Sequence, residues 1–379
     1  MRSSQKIWRA TKGWTDVIDG GVGADAQWVL VFGSREALAQ ADAFAELRAC
    51  HPQALIVGCS TSGEIAGDHV HDNTLVSTSV RFDHTTLRFA VVKVLGTGDD
   101  HGAGMALAHE LNRPGLAHVM VLSDGLKVNG SALARGLREH LPASVAVTGG
   151  LAGDADRFQK TLVYLNADAQ ENRIVAIGFF GDRLQVGYGS LGGWDSFGPW
   201  RLITKSKGNV LYELDGRSAL DLYKEYLGEH AAGLPASGLL FPLALQSGHT
   251  AGGLVRTVLS VDEQAKSMAF AGDMPEGCDV RLMKTNFNRL VDGAEGAARQ
   301  GLETLGGRAP ELAVLISCVG RKLVLKQRVE EEIEAVRQVL GPQAVLSGFY
   351  SYGEISPFGA ITQCELHNQT MTITTFAER

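Results

Sequence analysis

No two of the five cysteines (Cys50, Cys59, Cys278, Cys318, Cys364) stand in a CxxC spacing, and their number is odd. That argues against a disulfide framework and against a cysteine-rich zinc site. No apolar run approaches the roughly 20 residues that a membrane-spanning helix needs. The opening stretch, Met1 to Trp14, is polar and mixed, without the apolar core or small-residue cleavage site of a leader. No cluster of Lys and Arg offsets the formal net charge of -7, so neither a nucleic-acid backbone nor an anionic membrane is expected as the main partner. Absent as well are the GxxxxGK[ST] phosphate loop, a GxGxxG opening a helix after a strand, HExxH and GxSxG. These absences point to a reduced, cytoplasmic protein without a common catalytic signature.

What is present is a large apolar content. Hydrophobic residues make up 45% of the chain and charged residues 20%, so sizeable cores can be buried and disorder is excluded. A length of 379 residues exceeds one ordinary core and predicts two tightly joined domains.

Three stretches share one plan. The first runs from Trp28-Val29-Leu30-Val31-Phe32 through Gly33-Ser34 into a helix with Leu38, Ala41, Phe44 and Leu47 on one face. It returns as Ala54-Leu55-Ile56-Val57 and ends in Gly58-Cys59-Ser60-Thr61-Ser62-Gly63-Glu64-Ile65. The second has Val119 to Leu122, the turn Ser123-Asp124-Gly125, a helix with Leu133, Leu137 and Leu141, then Val145 to Val147 and Gly149-Gly150-Leu151-Ala152-Gly153-Asp154. The third has Leu312 to Ile316, the turn Ser317-Cys318-Val319-Gly320, and a helix with Val329, Ile333, Val336 and Leu340. It closes on Ala344 to Leu346 and Gly348-Phe349-Tyr350-Ser351-Tyr352-Gly353-Glu354-Ile355. Short apolar runs without polar alternation read as strands buried on both faces. Their connecting helices are apolar on one face, so the stretches are β-α-β units.

Each unit is followed by more alternating β-rich sequence. The stretches are Leu75 to Phe82 with Leu87 to Val94, Thr161 to Leu165 with Ile174 to Phe180 and Leu184 to Tyr188, and Ile361 to Leu366 with Met371 to Phe376. They read as antiparallel strands added to each unit. The fold class is therefore α/β, with mixed sheets covered by helices. Glycines and prolines between Asp221 and Leu245 mark the best boundary, which divides the chain into 25–225 (two units) and 226–379 (the third unit plus an antiparallel segment).

The repeated ends Ser62-Gly63-Glu64-Ile65 and Tyr352-Gly353-Glu354-Ile355 carry a family resemblance. So do Phe270-Ala271-Gly272-Asp273-Met274-Pro275-Glu276-Gly277, Ser317-Cys318-Val319-Gly320-Arg321, Gly192-Gly193-Trp194-Asp195 and Gly208-Asn209-Val210-Leu211-Tyr212-Glu213-Leu214-Asp215-Gly216. In their order they resemble FIST N- and C-terminal domains, from about Trp28 onward. The resemblance implies an intracellular ligand sensor of signal transduction, similar to stand-alone bacterial haem proteins that sense nitric oxide and act on a partner histidine kinase. It implies output through that kinase or another separate signalling protein. A sensor of an amino acid or similar metabolite, without haem, is the alternative.

Ligands of α/β sheets bind beyond the carboxyl ends of strands. That makes Ser60, Thr61, Ser62, Glu64, Ser123, Asp124, Gly149, Gly150, Ser317, Tyr350, Tyr352 and Glu354 candidates for the ligand pocket, with Trp194 as a wall and Arg321 and Lys127 as charge for an anion. Glu64 and Glu354 equally fit a structural role, tying down their own loops. Ser123 and Ser317 equally fit turn caps. Of the eleven histidines, His249 and His367 are candidates for an axial haem ligand. His69 and His71 share a loop that fits solvated side chains better than a metal site. A cysteine-dependent enzyme is the weakest reading: Cys59 and Cys318 sit at strand ends but have no histidine neighbour in sequence. No catalytic role is expected.

Overall fold

A computed structural model describes residues 1–94, 98–246, 254–357 and 364–379. The three units fold alike. Unit one pairs Trp28–Gly33 in parallel with Leu55–Ser60, and Leu75–Arg81 returns antiparallel to the first strand. Unit two does the same with Leu116–Ser123, Ala146–Leu151 and Arg173–Phe180. Unit three uses Leu312–Cys318, Val345–Ser351 and Met371–Glu378. The crossovers are the helices Ala41–Cys50, Gly130–His140 and Val329–Leu340. Every residue of Trp28–Gly33 and of Leu312–Cys318 is buried, as continuous apolar strands require.

One glycine recurs at the same place in each unit. A Cβ at Gly58, Gly149 or Gly348 would lie 1.7, 1.9 or 1.8 Å from the carbonyl oxygen of Val31, Val121 or Leu315 on the adjacent strand. Only glycine permits that approach.

The units exchange strands in a closed cycle. The hairpin Glu64–Ala66 with His69–His71 leaves unit one and pairs with Val345–Ser351 of unit three. The hairpin Gly353–Ser356 with Glu365–His367 leaves unit three and pairs with Ala146–Leu151 of unit two. The hairpin Val163–Leu165 with Asp168–Gln170 leaves unit two and pairs with Leu55–Ser60 of unit one. The opposite side of each sheet takes a strand from the chain before that unit: Arg2–Arg9, Thr86–Lys93 and Leu184–Leu191. The β-rich stretches expected after each unit are thus present, but several complete a neighbour's sheet rather than their own. The expected strand from Ile361 lies in part outside the described residues.

Arg2–Arg9 and Gly13–Ile18 form strands that the polar opening stretch did not suggest. Gln5 hid the pattern. It is fully buried, and its amide donates to Thr78 Oγ1 at 3.1 Å and to the Leu346 carbonyl at 2.9 Å.

Between units two and three, the described residues of 195–284 form a separate eight-stranded sheet with its own core, including Ile203, Leu220, Tyr223, Met268 and Phe270. The expected division between 225 and 226 falls inside its helix Ala219–Leu227. Strands from both sides of that point pair there, Asp195–Lys207 with Asp279–Lys284 and Val210–Leu214 with Ser267–Phe270. The Gly/Pro-rich stretch that suggested a linker forms the short 3-10 turns Gly228–Gly233 and Ala236–Leu240 of this insert. Among the described residues no helix is long and apolar enough to cross a membrane.

Candidate functional site

The strand-end loops meet where the three units meet. Ser62 N–H donates to the Tyr350 carbonyl at 2.8 Å, Tyr352 N–H to Leu151 at 3.2 Å, and Gly153 N–H to Ser60 at 2.8 Å. Each bond runs from the third residue of one loop to the first of the next, so the loops spend their backbone groups on one another. The same register shows that Gly153 stands where Ser62 and Tyr352 stand, one residue out of step with a Gly-Glu-Ile copy. Side chains follow suit. Ser60 Oγ donates to the Gly153 carbonyl at 2.7 Å and Ser62 Oγ to Ala155 at 3.1 Å. Gly149 and Gly150 are buried strand positions.

Within each unit a buried carboxylate accepts the N–H of the residue just before the return strand. Glu64 accepts from Thr74 at 3.2 Å, Glu354 from Thr370 at 3.3 Å and Asp124 from Asn172 at 2.7 Å. Glu64 also takes the hydroxyls of Thr61 and Thr74, and Glu354 those of Ser351 and Thr370. Burial pushes the two glutamates up, to about 7 and about 8, against the weaker downward pull of these donors. The glutamates tie down their own loops; the expected pocket walls are instead mutual seals.

Unit three's candidates are equally committed. Ser317 Oγ and Tyr350 OH donate to Glu332 Oε1 at 3.1 and 2.6 Å, and Arg321 Nη2 donates to Glu332 Oε2 at 2.7 Å. Arg321 also donates to the carbonyls of Gly192 and Leu290, and both members of the ion pair are fully buried. Trp194 donates its indole N–H to the Gln369 carbonyl at 2.8 Å. Ser123 Oγ donates to the Asp124 carbonyl at 3.1 Å. Cys59 and Cys318 are buried, and burial pushes both thiols up, opposite to what a nucleophile needs.

An open space lies elsewhere, where unit two faces the insert. A cavity of about 290 Å³ has one wall from the turn 125–130, a second from Phe158 and Tyr352, and a third from Asn209, Leu259, Phe270, Ala271 and Gly272. Leu151 and Leu366 complete it. Local chemistry shapes each wall. Asp124 Oδ1 accepts the N–H groups of Leu126 and Lys127 at 2.8 and 3.0 Å, which fixes the turn. Asn129 caps the helix that follows, its Oδ1 accepting from Ser131 and Ala132. Phe158 sits at φ 51, an uncommon conformation for a bulky residue. It is held there by its N–H to Tyr352 OH at 3.2 Å and by ring stacking at 4.4 Å and 12°. Of the candidates from the sequence, Tyr352 and Lys127 line this cavity, while Asp124 stands behind its wall. Phe158 escaped the sequence reading, although a lone aromatic within Asp156-Arg157-Phe158-Gln159-Lys160 was a signal.

Two family matches decide what this architecture is. Residues 27–217 match the FIST N domain and residues 219–357 the FIST C domain. The chain belongs to the FIST family. FIST domains are sensor domains of signal transduction that bind small ligands. The cavity of this FIST protein draws Gly125, Phe158 and Asn209 from the N domain, and Leu259, Ala271 and Tyr352 from the C domain. No curated protein matches the chain. A cyanuric acid hydrolase from A. caulinodans is 8% identical, with 94% of this chain and 91% of that one covered at a TM-score of 0.37, too distant to inform fold or chemistry.

Haem requires an axial His, Cys, Met or Tyr facing an apolar slot. Among the described residues no histidine or cysteine lines this cavity. The Tyr352 phenol, which does, is committed to Ala155 and Phe158, and burial pushes it up to about 12. His367 is buried with Nε2 3.1 Å from the Ser356 carbonyl, and burial lowers it to about 4. His249 lies outside the described residues. His69 is exposed beside Glu330. His118, which no motif marked, is buried neutral against Phe179 and Phe376, with Nε2 on Thr148 Oγ1 at 2.9 Å. No group of three or more His, Cys, Asp or Glu able to hold a metal occurs among the described residues. The described residues around the cavity do not fit haem.

Proposed function

We propose that this FIST protein is a non-catalytic sensor whose effector is a small organic molecule held between unit two and the insert. The observation that carries this reading is the composition of the cavity, whose walls come from both FIST domains. An occupant touching both walls changes the free energy of their junction, which is what a sensor must do. Few direct bonds span that junction among the described residues. Asn129 Nδ2 donates to Asp273 Oδ1 at 2.8 Å, Asp273 N–H to Ser131 Oγ at 3.3 Å, and Arg256 Nη1 to the Leu366 carbonyl at 2.9 Å. A separate signalling protein, such as a histidine kinase, reads the resulting shift in the position of the insert. Nitric oxide enters such a scheme only through a haem, and Tyr352, the one axial-ligand type among the described lining residues, spends its phenol on Ala155 and Phe158.

The test is a library of small metabolites screened by thermal shift against the wild type and Ala271→Trp, whose indole fills the cavity. Ligands that raise the melting temperature of the wild type and not of the variant support the reading. A library whose every hit acts equally on both refutes it.

A further inference from the structure

The chemistry of the lining narrows the effector. Phe158 and Leu259 leave 42% and 43% of their surface exposed on the rim, which is costly for large apolar residues unless something covers them. Phe158 has one ring face on Tyr352, and the remainder is offered to a second flat group. Lys127 is the one charged side chain of the lining, is exposed, and makes no ion pair among the described residues. Behind Gly272 lies a second cation. Arg256 is 3% exposed and donates to the carbonyls of Val255, Leu366 and Asp273, with no carboxylate in ion-pair contact among the described residues. The carboxylates of Asp273 and Glu365 act on this guanidinium only through space, without touching it, so its charge is partly neutralised and the remainder favours an anion nearby.

The neighbouring acids are spent. Asp124 holds the turn, Asp100 accepts from Asn129 N–H, and Asp273 from the Asn129 amide. Among the described residues no carboxylate lines the cavity, so the ammonium of an amino acid would enter without a partner. Asn209 gives its amide N–H to the Phe270 carbonyl at 2.8 Å, leaving Oδ1 as an acceptor. The volume, about 290 Å³, is at the small end for ligand sites.

From this we infer that the cavity selects a small planar aromatic carboxylic acid, its ring against Phe158 and its carboxylate in the field of Lys127 and Arg256. The inference rests on the cavity being the effector site.

The probes are benzoate and indole-3-acetate, against benzamide and indole-3-acetamide as neutral counterparts, titrated calorimetrically into the full chain. One acid of the pair is expected to saturate a single site, with its amide about tenfold weaker, as loss of a charge-assisted contact implies. Lys127→Met should narrow that gap, and Phe158→Ala should weaken acid and amide alike. Equal binding of acid and amide, or no binding of either acid, overturns the inference even if no variant folds. If neutral or cationic ligands from the metabolite library are excluded by Ala271→Trp while the acids do not bind, the cavity stands as the effector site and the acid preference falls. If the acids bind and Ala271→Trp leaves them bound, both fall.

Discussion

Raising the pH from about 5 to about 8 should destabilise the fold through Glu64 and Glu354. Both carboxyls are fully buried, and each is held by one N–H and two hydroxyls. Hydroxyls can accept as well as donate, so the neutral carboxyl keeps most of its partners while escaping the desolvation of a charge. The folded state therefore holds its proton more tightly than the unfolded chain does. That contribution is complete below the ordinary value of 4.5 and is lost as the pH rises through about 7 for Glu64 and about 8 for Glu354. At about 1.4 kcal/mol per pKa unit the whole contribution is on the order of 3.5 kcal/mol at Glu64 and 5 kcal/mol at Glu354, of which about 2.5 and about 3.5 kcal/mol are lost between pH 5 and 8. The assay is urea unfolding followed by fluorescence of the buried Trp28, run across this pH range on the wild type, Glu64→Gln and Glu354→Gln. Glutamine keeps the shape and cannot titrate, so subtracting each variant isolates its site. The difference should fall with rising pH. A difference that rises, as for a carboxylate stabilised by its donors, refutes the reasoning, and so does a flat one.

Glu332→Ala should cost about 3–5 kcal/mol, because it strands the buried Arg321 guanidinium; the shift in urea midpoint of the purified variant measures it. Alanine at Gly58, Gly149 or Gly348 should each abolish soluble expression, since the new Cβ would stand under 2 Å from a neighbouring carbonyl oxygen. Far-UV circular dichroism of any soluble fraction checks this, and a native spectrum at any one position contradicts the close-packed register described above.

The three units were legible because buried parallel strands write themselves as unbroken apolar runs, as Val119 to Leu122 does. The helices between them announce one apolar face, as Leu133 and Leu137 do. Partnership was not legible. Glu64–Ala66 has no feature that says it pairs with unit three, because the choice is made by the cyclic closure and not by local propensity. The insert was missed as a body for a related reason. Its helix Ala219–Leu227 lies beside glycines and prolines that resemble a linker, and only the pairing of Asp195–Lys207 with Asp279–Lys284 reveals a closed sheet. At the site, the Gly-Glu-Ile loops attracted attention as repeated, acid-bearing strand ends. Their repetition reflects a repeated seam, and a seam consumes the very groups a ligand would need. The cavity residues do not repeat: Phe158, Asn209 and Ala271 come from unit two and the insert, and no copying marks them.

That contrast bears on how such a molecule can respond to a ligand. Displacing one unit of the ring breaks a hairpin ladder at two seams, together with the backbone bonds between the strand-end loops. The ring is thus held by many hydrogen bonds between buried groups, where each unmade bond costs about 1–3 kcal/mol. The insert's face is joined by side-chain contacts at Asn129, Ser131 and Arg256 to unit two and to the unit-three hairpin paired with it, around the cavity. Binding energy on the order of a few kcal/mol cannot move the ring, but it matches the strength of that face. The insert is therefore the element whose position a bound effector would set, and the ring is the fixed frame against which a partner would read it.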